Sequence, residues 1–193
     1  MFRYFATLII LIPLLFNNLD VFCQTQVKQP LSRQDSAMID KYKENYALYK
    51  NKNDLRNASD FLNQIGRIYW NHNHFNKSIE YYTESLTLNQ QLGNENGIAG
   101  INTNLGMLYT DLGEYQKSVD YLSKAVAARR AMKQSRKNYE NLFNALLNLS
   151  VSLKKLGKYQ ESIDYLEEAL GYAKEINNLE KMSVFYLQLA EVH

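Results

Sequence analysis

This sequence of 193 residues has one cysteine, two prolines, eight glycines and almost no net charge, at a formal +2. Each scarcity excludes something. A lone Cys23 forms no intramolecular disulfide, so the chain is held by packing alone. A balanced charge gives no strong field, which argues against nucleic acid or an anionic membrane as partner. Few prolines and glycines suit helices joined by short turns. There is no glycine-rich phosphate loop, and no serine stands with a histidine and a carboxylate in a nucleophilic arrangement. His72 and His74 lie two apart without a Cys, Asp or Glu to complete a ligand set, and read as exposed turn residues. These absences predict no enzyme, no cofactor and no metal.

Apolar runs are also short. Phe5–Phe16 is the main one, twelve residues interrupted by Thr7 and containing Pro13. A membrane-spanning helix needs about 20 residues. The run, preceded by Arg3 and followed by Asn17, Asn18 and Asp20, has the length of a signal-peptide core. Val21 and Cys23 fit the positions before a cleavage site, so residues 1–23 read as an export signal cut before Gln24. An uncleaved anchor is the alternative, and lipidation of Cys23 a weaker one because bulky Phe22 precedes it. The mature chain is expected outside the cytoplasm, periplasmic or extracellular, with no membrane span. Residues 24–34, with Pro30, show no periodicity and read as a flexible linker, and Ser32 and Asp35 resemble a capping box for the first helix.

What is present is repetition. Asn104–Ala125 reads as two amphipathic helices around a glycine turn, with Gly106 and Ser118 where helices approach and Tyr109, Leu122 and Ala125 in the seam. The Gly106 column recurs as Gly66, Ser150 and Ala190, at steps of 40, 44 and 40. Tyr109 is matched by Tyr69, Leu153 and His193, and Ser118 by Ser78 and Ser162. Leu122 is matched by Tyr82 and Leu166, and Ala125 by Ser85 and Ala169. Ile39 and Tyr42 keep the phase of Ile79 and Tyr82. Asn73, Gly113 and Gly157 share the turn column that needs a left-handed backbone. The fold class is therefore all-α, an α-solenoid.

These columns resemble the tetratricopeptide repeat, in its long form of about 40 residues, similar to kinesin light chains and some bacterial regulators. The proline that often closes the short repeat is replaced by Gln90, Arg130 and Lys174. The reading divides residues 35–193 into a degenerate half repeat (35–53), repeat 1 (55–93), repeat 2 (97–133), repeat 3 (138–177) and an unpaired first helix (179–193). The resemblance implies a right-handed superhelix and a non-catalytic scaffold that binds protein or peptide on the concave face lined by first helices. One column of that face holds an amide in every repeat: Gln64, Asn104, Asn148 and Gln188. Amides both donate and accept, so such a row can pair with the backbone of an extended peptide. Arg67, Trp70, Asn71, Met107, Asp111, Val151 and Lys154 complete the predicted peptide-binding face, with Asn63, Asn144 and Glu191 nearby. The alternative is an extracytoplasmic sensory arm of a bacterial histidine kinase or transcription regulator.

Three further expectations follow. Arg129, Arg130, Lys133, Arg136 and Lys137 form a basic run read as convex-face cations that complement a helix C-terminus, with an acidic partner or lipid headgroup as the other reading. Glu167 and Glu168 read as a solvated helix face. Tyr186, Leu189 and Ala190 occupy columns that pack on a following helix, so the last helix is expected to self-associate.

Overall fold

The computed structural model describes residues 27–133 and 135–192, and the export-signal reading of residues 1–23 lies outside them. Among the described residues there are eight helices: α1 (Arg33–Asn51), α2 (Leu55–Asn71), α3 (Phe75–Gln91), α4 (Glu95–Asp111), α5 (Tyr115–Ala131), α6 (Arg136–Lys155), α7 (Tyr159–Glu175) and α8 (Leu179–Val192). Each packs on the next in sequence. In addition α4 touches α6 and α6 touches α8, whereas α3, α5 and α7 make no comparable contact with one another. The even-numbered helices therefore form the tighter, inner layer of an α-solenoid, and the odd-numbered ones the outer layer.

Six of the seven connections are one turn repeated. Its central residue has positive φ: Asn53 (57°), Asn73 (59°), Gly93 (60°), Gly113 (73°), Gly157 (75°) and Asn177 (52°). In each, that residue's N–H returns to the carbonyl three back, and the next N–H to the carbonyl five back, as in Gly113→Thr110 at 3.0 Å and Glu114→Tyr109 at 2.9 Å. This double bond satisfies carbonyls that a helix end would leave unpaired. The turn needs a left-handed residue, which only glycine and asparagine supply at low cost.

The α5–α6 connection is the exception. Met132 leaves the helix extended (φ −77°, ψ 156°), and the Ser135 hydroxyl caps α6 by accepting from the Asn138 N–H at 3.2 Å. Helix α6 has 20 residues where α2, α3, α4, α5 and α7 have 17. Three extra helical residues and one extra connecting residue account for the step of 44 in place of 40.

Small residues carry the helix seams. A Cβ on Gly106 would stand 2.4 Å from Cγ of Leu122, and one on Gly66 2.9 Å from the Tyr82 ring. Ser78, Ser118 and Ser162 are fully buried, and the last two do more than save space. Ser162 donates to the Ser150 carbonyl at 2.9 Å. Ser118 joins Thr110 and Ser152 in a triangle of hydroxyls at 2.7, 2.9 and 2.7 Å that ties α4, α5 and α6 together. A repeated aromatic clasp joins an inner helix to the outer one that follows it: Tyr69 stacks on Tyr81 at 5.6 Å and Tyr109 on Tyr121 at 5.4 Å, with Lys77 and Lys117 over the first ring of each pair.

Two expectations need correction. The described part of the linker is tied down: Gln29 N–H donates to the His72 carbonyl at 2.9 Å, and Asn73 Nδ2 to the Val27 carbonyl at 3.0 Å. His72 and His74 are correspondingly half-buried, His74 Nε2 lying 2.8 Å from the Gln29 carbonyl and His72 Nε2 3.1 Å from Asp35 Oδ2. The hydrogen bond from Ser32, followed by that from His72, draws the Asp35 carboxyl below its ordinary value. At the other end Leu189 packs into the core cluster of repeat 3, while Tyr186 and Leu187 are 50% and 66% exposed.

Two glycines separate the seam from the surface. Gly106→Ala should destabilise the fold by about 1–3 kcal/mol, because the branched Leu122 carbon cannot swing aside. Gly171, inside α7 with nothing within 4 Å of an added Cβ, should instead gain up to about 1 kcal/mol on substitution by alanine. Urea denaturation of both variants checks the pair; equal effects would show that the seam is not close-packed.

Candidate functional site

The inner wall is α2, α4, α6 and α8, and polar side chains bridge it at each step. Between α2 and α4, Trp70 Nε1 donates to Asp111 Oδ2 at 2.7 Å and Asn104 Nδ2 to Asn63 Oδ1 at 3.0 Å. The hydroxyl triangle joins α4 to α6, and Lys154 pairs with Glu191 at 3.1 Å between α6 and α8. Several residues expected to face a ligand are thus engaged with one another. Within α2, Arg67 donates to Gln64 Oε1 at 2.6 Å. Asn71 is exposed, and Val151 and Gln188 are half-buried, outside the clefts described next.

Where α4 faces α6 a cleft of about 340 Å³ opens, lined by Gly100, Thr103, Asn104, Met107, Arg129, Asn141, Asn144 and Asn148. It brings together three of the expected residues: Asn104, Met107 and Asn148. A smaller cleft on the α2 side shares Gly100 and Asn104 and adds Asp60, Asn63, Ser85, Asn89, Gly97 and Ile101. A third, of about 280 Å³, shares Arg129 and Asn141 and is lined further by Asn96, Met132, Lys133, Ser135, Lys137 and Asn138. Through these shared residues the three clefts form one continuous polar groove.

Asparagine dominates it. Asn138, Asn141, Asn144 and Asn148 follow one another on α6 at helical spacing. Asn148 donates to the Asn144 carbonyl at 2.7 Å and Asn138 to the Arg129 carbonyl at 2.9 Å. The side chains of Asn141 and Asn144 make no hydrogen bond among the described residues. This stripe was legible in the sequence as four amides spaced 3, 3 and 4, yet alignment by repeat columns picks out only Asn148, with Asn144 beside it.

One member of the basic run does not lie on the convex surface as expected. Arg129 is turned inward and only 5% exposed, its Nη1 and Nη2 donating to Oδ1 and the main-chain oxygen of Asn96. Burial without a carboxylate lowers its pKa from the ordinary arginine value. Its neighbour Arg130, one residue and about 100° further round the helix, points outward and forks onto both carboxylate oxygens of Glu168. Glu168 is accordingly an ion-pair partner rather than part of a solvated face, its side chain 24% exposed.

A family profile described as tetratricopeptide repeat matches residues 57–131 and 97–175. Among solved structures, BtubC (BKLC) from P. vanneervenii superposes with a TM-score of 0.66 at 19% identity, over 72% of this chain and 57% of that one. A putative kinesin light chain with nearly identical repeats from Podospora anserina gives 0.58 at 14% identity, over 83% of this chain and 87% of that one. Aspartyl phosphate phosphatase F from Bacillus subtilis gives 0.62 at 14%, over 83% and 47%. This chain thus spans about half the length of two of the three. At such identities the likeness is one of fold. No curated protein matches the sequence.

Trp70 is the only tryptophan, so its fluorescence reports on the inner wall. Loss of water around Asp111 raises its carboxyl pKa above the ordinary value, while the hydrogen bond from Trp70 opposes the rise. A raised folded-state pKa means the protonated form is favoured on folding. This group therefore adds stability at low pH and loses that contribution as pH climbs through the folded pKa. Trp70 emission should titrate with a midpoint above that of a free aspartate, about 3.9. The transition should vanish in Asp111→Asn. A midpoint at or below the free value would show that hydrogen bonding outweighs lost hydration here.

Proposed function

Because this chain belongs to the tetratricopeptide repeat family, we propose that it is a non-catalytic protein-binding scaffold which holds an extended peptide segment along its inner groove. The observation that carries the reading is the asparagine stripe of α6, three members of which share the cleft with Asn104 on α4. An extended peptide offers alternating N–H and C=O groups, and a primary amide answers either one. Recognition of that kind tolerates many sequences, and the neighbouring Met107 and Arg129 supply apolar contact and charge.

The scaffold and the groove draw on different side chains. Leu105 is fully buried, while Asn104 on the same helix is half-buried and faces the cleft. With a peptide selected from a displayed random library, Asn104→Ala and Asn148→Ala should each weaken binding by about 1 kcal/mol while the melting temperature stays near that of the parent. Leu105→Ala should destabilise by about 2–5 kcal/mol through the cavity it leaves, with binding lost only where the fold is lost. Asparagine variants that bind like the parent would move the site off this wall.

We also propose that the scaffold works outside the cytoplasm. The support is the twelve-residue apolar core of residues 5–16 with its polar flank and the small residues before Gln24. Intact-mass measurement on protein expressed in its own host should find a mature chain beginning near Gln24. A species that keeps Met1–Cys23 would rule out cleavage, and recovery in the cytosol would rule out export.

A further inference from the structure

Arg129 is a buried cation with no acid beside it. Its guanidinium spends one N–H from each terminal nitrogen on Asn96, Met132 Sδ lies 3.7 Å from Nη1, and Nε has no partner. Among the described residues no carboxylate stands within ion-pair distance of it. A guanidinium stays charged in proteins, and withdrawing an unpaired charge from water is costly unless something compensates it. Asn96 compensates in part, as a neutral acceptor. Its counter-charge is missing.

The surroundings point the same way. Arg129 stands between the central cleft and the basic one, and in the latter Lys133 and Lys137 join it while no lining residue is acidic. This cleft sits at the one connection that departs from the repeated turn, where α6 carries its extra residues.

We propose that Arg129, with Lys133 and Lys137, forms an anion subsite at the α5–α6 end of the groove. It takes an oxyanion borne by the bound peptide, either the carboxylate of an acidic residue or the phosphate of a phosphorylated one. The proposal rests on the peptide-groove reading and gives that groove its polarity. The planar guanidinium offers directed donors to paired oxygens, and the two exposed ammonium groups add positive charge at the cleft mouth.

Two measurements test it. In the first, randomised ten-residue peptides carrying glutamate, phosphoserine or glutamine at one fixed position are titrated against the protein. Glutamate or phosphoserine peptides should bind roughly tenfold or more tighter than glutamine ones, and whichever gains more identifies the source of the oxyanion. Arg129→Gln should erase the preference. Since a buried residue is changed there, the double variant Lys133→Gln/Lys137→Gln, at exposed positions, should lower the preference roughly threefold or more with an unaltered melting curve. Peptides that bind with no preference for the anion, and indifferently to the lysine pair, would overturn the subsite and leave the groove standing. In the second, inorganic phosphate is titrated at constant ionic strength while the Arg129 Nε–H resonance is followed. If no peptide binds at all, the groove reading fails. A saturable shift that the lysine variant abolishes would then still support the anion site, and a flat response would overturn it.

Discussion

The left-handed residue at the end of each helix is the constraint on which the remaining architecture depends. A helix that ends in this bonding pattern leaves in one fixed direction, because both N–H groups of the turn are committed to carbonyls of the last helical turn. Six departures with the same bonding pattern repeat one helix-turn-helix geometry, and only then can small residues 40 apart meet the same kind of partner each time. Asparagine at 53, 73 and 177 serves where glycine serves at 93, 113 and 157. The two residue types are interchangeable here for one reason, their low cost at positive φ.

Given that direction, the seams need little more than space and a few polar bonds. Leu122 over Gly106 and Tyr82 over Gly66 are the same contact built from different side chains. In the second close-packed column, which carries serine in all three repeats, two of the hydroxyls are brought into bonding between helices: Ser162 to the Ser150 carbonyl, Ser118 to Thr110 and Ser152. A buried hydroxyl without a partner would cost about 1–3 kcal/mol, so these bonds are what make serine acceptable in the column. Ser78 is the exception: it makes no such bond to another helix, and its hydroxyl faces that of Tyr82, one turn further along the same helix.

The periodic part of this molecule was readable because periodicity is a local property that recurs. Leu55–Asn71 follows from the spacing of its apolar residues, and the shared column of Asn73, Gly113 and Gly157 from the need for a left-handed turn. Asn53, Gly93 and Asn177 do the same work between repeats, beyond the reach of columns that align turns within repeats. Three other features escape a comparison of repeat columns. The docking of Val27 and Gln29 on the His72–His74 turn rests on main-chain and amide bonds across about 45 residues, which leave no pattern in composition. Arg129 keeps the helical phase of the buried Leu122, Ala125 and Val126, but a run of five cations masks that phase. The expected wall residues Trp70, Asp111, Lys154 and Glu191 are bonded to one another, a pairing between helices that no single repeat reveals.

The irregular connection is where a regular solenoid acquires an end that differs from the other. Every other turn commits its two N–H groups to carbonyls of the helix it leaves. At α5–α6 the chain instead leaves extended, α6 begins nearly a turn early, and its first turn adds Lys137 and Asn138 to a cleft already facing Arg129. Removing those residues to restore the step of 40 would deprive Arg129's carbonyl of the Asn138 amide and take Lys137 from the cleft wall. The departure from the repeat and the unpaired buried charge therefore stand or fall together. A uniform groove would hold a backbone in either direction, whereas a groove with one cationic end distinguishes the two.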